Sequence, residues 1–261
     1  MSRAYLELAR ALGFAASLLL AAGCASEAAK PAPQPAAQQP APAAPPPAAS
    51  AESKVVLPPG AAQPPAPFEG EGWQPMFAGE NLDGWRETPF AGHGDVHCQS
   101  GLIILSMGDP FTGINWTNDF PKVNYELALD AMRLSGSDFF CGLTVPVGTN
   151  SCSLIVGGWG GSLVGISSLD GMDASENDST KFTSFESGRW YRIRLRVTEK
   201  RIEGWIDKEK LVNVSTEGRR ISVRPGDIEL SIPFGLAAWQ TSAAFRELKF
   251  RRVAGSAGKG D

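Results

Sequence analysis

The chain has 261 residues, a net charge of −4 and four cysteines. That balance, with no basic tract, argues against nucleic acid as a partner, because phosphate binding needs clustered lysine and arginine. With 43 % hydrophobic residues, the chain has enough apolar material for one domain with a packed core once its biased ends are set aside.

At the N-terminus, Arg3 and Arg10 accompany an apolar run from Ala11 to Ala22 that is too short to cross a bilayer. This is the pattern of a secretory signal peptide, here residues 1–23. The run ends in Leu20-Ala21-Ala22-Gly23-Cys24, which resembles the lipobox of bacterial lipoproteins, with Ala21 where Leu is commonest. The resemblance implies cleavage before Cys24, a diacylglycerol on its sulfur and acylation (palmitate or a similar chain) of the new amine. More than one acyl chain would hold the protein stably at a membrane. The alternative is an unmodified thiol behind an ordinary cleavage site. Ala25, not Asp, follows the cysteine, so the expected address is the outer membrane, with the periplasmic face of the inner membrane as the other choice.

Residues 24–67 are dominated by Ala, Pro and Gln, as in PAPQPAAQQPAPAAPPPAAS (31–50), with a short apolar break at Val55-Val56-Leu57. Such a composition cannot bury enough apolar area to offset its ordering entropy. Its prolines favour extended polyproline II, so the segment is expected to be a disordered, semi-rigid tether reaching up to roughly 100 Å. The tail, 254–261, is small and polar and is expected to fray. The folded domain is expected over 68–253.

Within that domain the hydrophobic period is two. YELALDAMRL (125–134) puts Tyr125, Leu127 and Leu129 on one face and Glu126, Ala128 and Asp130 on the other. FFCGLTVPV and SCSLIVGG read as strands joined by a Gly-Thr-Asn turn, and SLVGISS (162–168) continues the series. In RWYRIRLRVTEKRIEGWID (189–207), a turn at Glu199-Lys200 sets Arg196 opposite Glu203, Arg194 opposite Trp205 and Arg192 opposite Asp207. Val197 then meets Ile202 and Ile193 meets Ile206, so both faces match. The arginine row is expected to be a solvated sheet face, with an anion-binding strip as the alternative. Many short strands with glycine-rich turns and almost no helix indicate an all-β sandwich or jelly roll.

Among these strands lies LIVGGWGGSLVGISSLDGMDASENDS (154–179). Its glycines do not fit the phosphate-binding pattern GxxxxGK[ST], and no helix follows to hold a phosphate. The glycines are expected to let strands bend closely around Trp159. The acid loop 170–178 would then close one end of a groove. The loop fails the calcium pattern, because Gly171 directly follows Asp170. No cofactor is expected, with an irregular calcium site as the alternative to a solvated loop. Asp138, just before Phe139-Phe140, either caps a turn or donates a proton. His93 and His97 in HGDVH could share a strand face, but no third metal ligand is near them in sequence. Cys98, Cys141 and Cys152 leave two readings open: a Cys141–Cys152 bridge, or buried free thiols.

Three segments together resemble one family. GWQPMFAGENLDGW (72–85), GRWYRIRLRVTEKRIEGWIDKEKLVN (188–213) and FGLAAWQTSAAFRELKFRRV (234–253) are similar, in order, to the opening, the hairpin and the closing motif of the 3-keto-disaccharide hydrolase domain. The resemblance implies a concanavalin A-like jelly roll of two antiparallel sheets, one of them concave towards a sugar. It also implies cleavage of a glycosidic bond in a sugar oxidised at C3. The polar strands common in that family are here SDFFCGL (137–143) and CSLIVGGWGG (152–161), mostly apolar, and Trp239 stands where a His is common. Candidate catalytic acids are Asp138, Asp170, Asp173 and Glu176; candidate sugar-binding residues are Trp159, Trp239 and Gln240. The expected partners are a carbohydrate and, through Cys24, a membrane. The alternatives are a non-catalytic carbohydrate-binding module and a structural envelope lipoprotein.

Overall fold

The computed structural model describes residues 55–254. The expected signal peptide, Cys24, most of the expected tether and nearly all of the tail lie outside the described residues. The strands are β1 (Gln74–Pro75), β2 (Trp85–Glu87), β3 (Val96–Gln99), β4 (Leu102–Leu105), β5 (Phe111–Trp116), β6 (Tyr125–Gly136), β7 (Cys141–Val147) and β8 (Asn150–Gly157). They continue with β9 (Leu163–Ser167), β10 (Lys181–Phe182), β11 (Trp190–Val197), β12 (Arg201–Ile206), β13 (Glu209–Ser215), β14 (Gly235–Trp239) and β15 (Thr241–Arg252). An eight-stranded sheet runs β13-β12-β11-β6-β15-β4-β3, with β1 added to β15. A seven-stranded sheet runs β10-β9-β8-β7-β14-β5-β2. Every pairing is antiparallel, and β6, β14 and β15 pair with strands distant in sequence. The result is a two-sheet antiparallel jelly roll, the all-β class that the strand pattern predicts and that the family resemblance implies.

Alternation builds the core. From β6, Tyr125, Leu127 and Leu129 face Leu143 and Val145 of β7 and Leu154 of β8, all within one buried cluster. The Tyr125 hydroxyl crosses between the sheets and donates to the Pro146 carbonyl at 2.7 Å. A buried phenol so paired avoids the penalty of an unmade hydrogen bond. Cys141 and Cys152 point into the same core, but Cys141 is opposite Val156 and Cys152 opposite Val145. The disulfide alternative therefore falls, and Cys98, Cys141 and Cys152 are all free. Burial pushes the Cys152 thiol up to about 12 and raises Cys141 as well.

The expected hairpin register is observed: Arg196 pairs with Glu203, Arg194 with Trp205, Val197 with Ile202 and Ile193 with Ile206. The arginine face is more enclosed than a solvated strip, because β6 lies on its other side. Asp130, only 5 % exposed, binds Arg192 of β11 at 2.8 Å and Arg246 of β15 at 3.3 Å. Glu126, 2 % exposed, binds Arg251 at 2.5 Å and Arg194 at 3.3 Å. Arg192 thus finds its charge partner in Asp130, while the Asp207 carboxylate accepts the Arg192 backbone N–H. Arg194 also lies 4.0 Å over the Trp205 ring.

These guanidinium groups reach further, to main-chain carbonyls of the preceding segment. Arg192 donates to Ala66 and Pro67, Arg246 to Gln63, and Arg251 to Glu69 and Glu71. Upstream, Val55 exchanges two hydrogen bonds with the Gln99 side chain. Val55, Leu57 and Ala61 pack on Leu102, Ile104 and Met132. Residues 55–67, expected to belong to the free tether, therefore form a strap across the outer face of the eight-stranded sheet. The apolar break at Val55-Val56-Leu57 was the sequence signal for it. Its apolar contacts and carbonyl bonds together contribute a few kcal/mol. A chain starting at residue 68 is expected to melt at least about 5 °C below one starting at residue 55; equal melting temperatures would show that the strap does not support the fold.

Candidate functional site

On the outer face of the seven-stranded sheet many outward positions are small or polar, Gly142 and Thr144 on β7, Ser153 on β8, Gly165 and Ser167 on β9, and Ala237 on β14, with Ile155 and Leu163 among them. Small side chains leave a shallow floor onto which larger groups fold from the edges. Phe139 lies over Gly142, where an added Cβ would come within 2.8 Å of the ring. Phe90 and Phe111 stack at 4.8 Å, and Trp239 meets Phe111 edge-on at 4.5 Å. A cavity of about 470 Å³ remains between these rings and the 224–228 turn, within the range of small-ligand sites. Phe111, Phe139, Ile155, Ile228 and Trp239 wall it, and Asp138, Trp159, Asp173, Arg224 and Asp227 also line it.

Trp159 stands at the crest of the glycine turn. Gly157, Trp159, Gly160 and Gly161 have φ of 79°, 48°, 84° and 105°. Glycine takes such angles freely, whereas a tryptophan there costs about 1–2 kcal/mol. Two groups hold the turn. The buried Arg133, at the far end of β6, donates to the carbonyls of Gly161 at 3.0 Å and Gly157 at 3.5 Å. Asp138 accepts the N–H of Phe139 at 2.7 Å and of Gly160 at 3.2 Å. Burial pulls the Arg133 guanidinium below its ordinary value, an effect that the charges of Tyr191 and Asp138 oppose. Of the two roles the sequence allowed Asp138, turn capping is the one realised in the hydrogen bonds, and the same carboxylate lines the cavity.

The acid loop divides. Asp173 borders the cavity with Trp159, as expected. Both its oxygens are occupied: Oδ1 accepts from Ser167 Oγ and the Ala174 N–H, each at 2.6 Å, and Oδ2 pairs with Arg224 at 2.7 Å. Three other candidates do not line the cavity. Asp170 turns away to Arg219 at 2.8 Å and to the Arg220 N–H. Glu176 is exposed and accepts the Asp173 N–H at 3.3 Å. Gln240 is exposed, and its backbone N–H donates to Pro110. Asp170 is drawn off by partners some fifty residues away, which local sequence spacing does not reveal. Conversely, Arg224, Asp227, Ser153 and Ser167 were not anticipated. Arg224-Pro225-Gly226-Asp227 reads as a turn, and only the fold brings it against Asp173.

His93 Nδ1 contacts the neighbouring Gly94 carbonyl, and His97 Nε2 is buried without a partner. Among the described residues no three His, Cys, Asp or Glu side chains gather around a common point. Also among the described residues, no helix is long and apolar enough to cross a membrane.

Fold and cavity together define an all-β jelly-roll domain with an aromatic-walled, acid-edged cavity on one sheet. Residues 72–251 match the 3-keto-alpha-glucoside-1,2-lyase-like domain, and the chain belongs to that family. No curated protein matches the chain. Similar solved structures include a β-glucanase of Bacillus licheniformis, with a TM-score of 0.47 and 9 % identity over 71 % of this chain and 100 % of that one. A carbohydrate-binding module of Bacillus subtilis has a TM-score of 0.42 and 13 % identity over 64 % and 95 %. Domain 4 of an arabinanase of Geobacillus stearothermophilus, solved with arabinotriose, has a TM-score of 0.44 and 12 % identity over 71 % and 93 %.

The Arg220 N–H and the Arg219 guanidinium hold the Asp170 carboxyl below its usual value. A lowered folded value means that its stabilisation is complete above the unfolded value of about 3.9 and is lost as pH falls through the lower folded value. The melting temperature of the native chain is therefore expected to drop more steeply between pH 5 and 2 than that of Asp170→Asn. Parallel curves would show that this tie does not stabilise the fold.

Proposed function

We propose that the cavity binds a glycoside whose sugar is oxidised at C3 and eliminates its C1 substituent, with Asp138 as the base. One observation carries this reading: Asp138 shares the cavity with Trp159 and Trp239, its carboxylate fixed by two backbone N–H groups. A sugar face stacks on an indole, and a positioned carboxylate can work beside it. The C3 carbonyl acidifies the C2 hydrogen. Asp138 takes that proton, and the C–H electron pair moves into an enolate on the C3 oxygen. The pair then returns to form a C1–C2 double bond and expels the C1 oxygen, which takes a proton from water. A second water adds to the enone and completes the cleavage. Arg224, whose guanidinium is 59 % exposed beside Asp173, is the cation placed to stabilise the enolate.

Binding without turnover is the second reading. It is favoured by Asp138, whose two oxygens already accept the N–H groups of Phe139 and Gly160, and by Asp173, which is held by three donors, one of them the Arg224 guanidinium. A purely structural role fits less well, since Trp159 is 41 % exposed in a conformation that costs energy. Asp138→Asn keeps one of the two acceptors that hold the turn and removes the base. In the presence of a 3-keto-glucoside it is expected to lower kcat at least 100-fold while retaining binding. Unchanged turnover would overturn the assignment of Asp138. Absence of both binding and turnover in the native protein, with or without a chelator that would strip calcium, would overturn the sugar reading.

The same proposal places the domain at the cell envelope, anchored through lipidated Cys24, at the outer membrane or the periplasmic face of the inner one. Cys24→Ala is expected to move the protein from the membrane fraction to the soluble fraction. A native chain already in the soluble fraction would count against the anchor.

A further inference from the structure

We infer that the aromatic-walled part of the cavity takes an aromatic aglycone, so that the ligand is an aryl glycoside with its sugar among the exposed polar groups. This rests on the glycoside reading above and specifies its substrate. Few polar side chains line the sheet floor, and those already hold partners: Ser153 Oγ and Thr144 Oγ1 share a hydrogen bond at 2.8 Å, and Ser167 Oγ donates to Asp173 at 2.6 Å. Asp173 is closed off further by the Ala174 N–H and by Arg224. A hexose seated on this floor would bury several hydroxyl groups against Phe111, Phe139, Ile155, Ile228 and Trp239, and buried hydroxyls without partners are costly.

An aromatic ring has no such requirement. The walls offer it what it prefers, an edge-to-face setting like that already made by Trp239 against Phe111, at 4.5 Å and 89°. The charged groups that offer a sugar the most hydrogen bonds are exposed ones: the remaining N–H groups of Arg224 and the carboxylate of Asp227. With the exposed Trp159 and with Asp138, they suit the sugar. The volume of about 470 Å³ accommodates a ligand with both parts.

The test compares phenyl and methyl 3-keto-glucosides, with phenol alone as a third probe, by calorimetry and turnover on the purified full chain. The phenyl glycoside is expected to bind at least tenfold tighter than the methyl glycoside. Ile155→Thr, which keeps the β-branch on β8 with a smaller, polar side chain, and Ile228→Ser, in the short helical turn Asp227–Ser231, are each expected to bring that ratio towards one. Melting curves confirm that the variants are folded. Equal affinities, or tighter methyl binding, would overturn the aryl preference and leave the glycoside reading standing. Phenol bound in the cavity with neither glycoside bound would support the aromatic-walled part as an aryl site and overturn the glycoside reading. No binding by any probe would overturn both.

Discussion

The structure depends most on β6 being enclosed on both faces. Its inward side chains, Tyr125, Leu127 and Leu129, enter the core, and its outward acids, Glu126 and Asp130, are almost wholly buried. A carboxylate without solvent must be paired, because breaking one buried pair leaves a charge whose cost is about 3–5 kcal/mol. The pairs come from β11 and β15, the two strands that flank β6. Their arginines have more donors than the acids can accept, and the surplus takes carbonyls of residues 63–71. Charge burial on one strand thus recruits the strap. At its far end, β6 supplies Arg133 to the glycine turn that presents Trp159, so the same strand joins the scaffold to the site.

The site itself shows how an apolar sheet face acquires chemistry from its margins. Small residues on the seven-stranded sheet make a floor, and aromatic rings fold over it. The charged groups arrive on turns: Asp138 before β7, Asp173 after β9, and Arg224 with Asp227 before β14. Asp173 is tied to the Arg224 guanidinium, which stays largely exposed, whereas Asp138 is held by backbone N–H groups. The two carboxylates thus differ in partner, a cation for one and the turn's own backbone for the other. The polar chemistry of this chain sits at the rim and not on the floor.

Much of the fold was legible because its signals are local and repeated. Period-two alternation over 189–207 fixed the β11–β12 register, since a one-residue slip would have put arginine into the core and isoleucine on the surface. The same pattern gave the two faces of β6. Less was legible where one pattern admits two environments. An arginine row reads the same whether it meets water or the acids of a third strand. The Ala/Pro-rich stretch up to residue 67 looks like a tether throughout, although Val55, Leu57 and Ala61 seat its last part on Leu102 and Met132.

What the sequence by itself determined was the all-β architecture, the hairpin pairing and the separation of Trp159 into a glycine-rich turn, all set by side-chain alternation and backbone preference over a few residues. The tertiary structure alone decided which acids share a cavity. Asp170, Asp173 and Glu176 lie within one short loop, yet only Asp173 lines the cavity, because Arg219 and Arg220 draw Asp170 away and Glu176 turns back on the loop's own backbone. Arg224 reaches Asp173 from a distant turn. Contacts between residues far apart along the chain are fixed by packing in three dimensions, for which composition and local spacing carry no record.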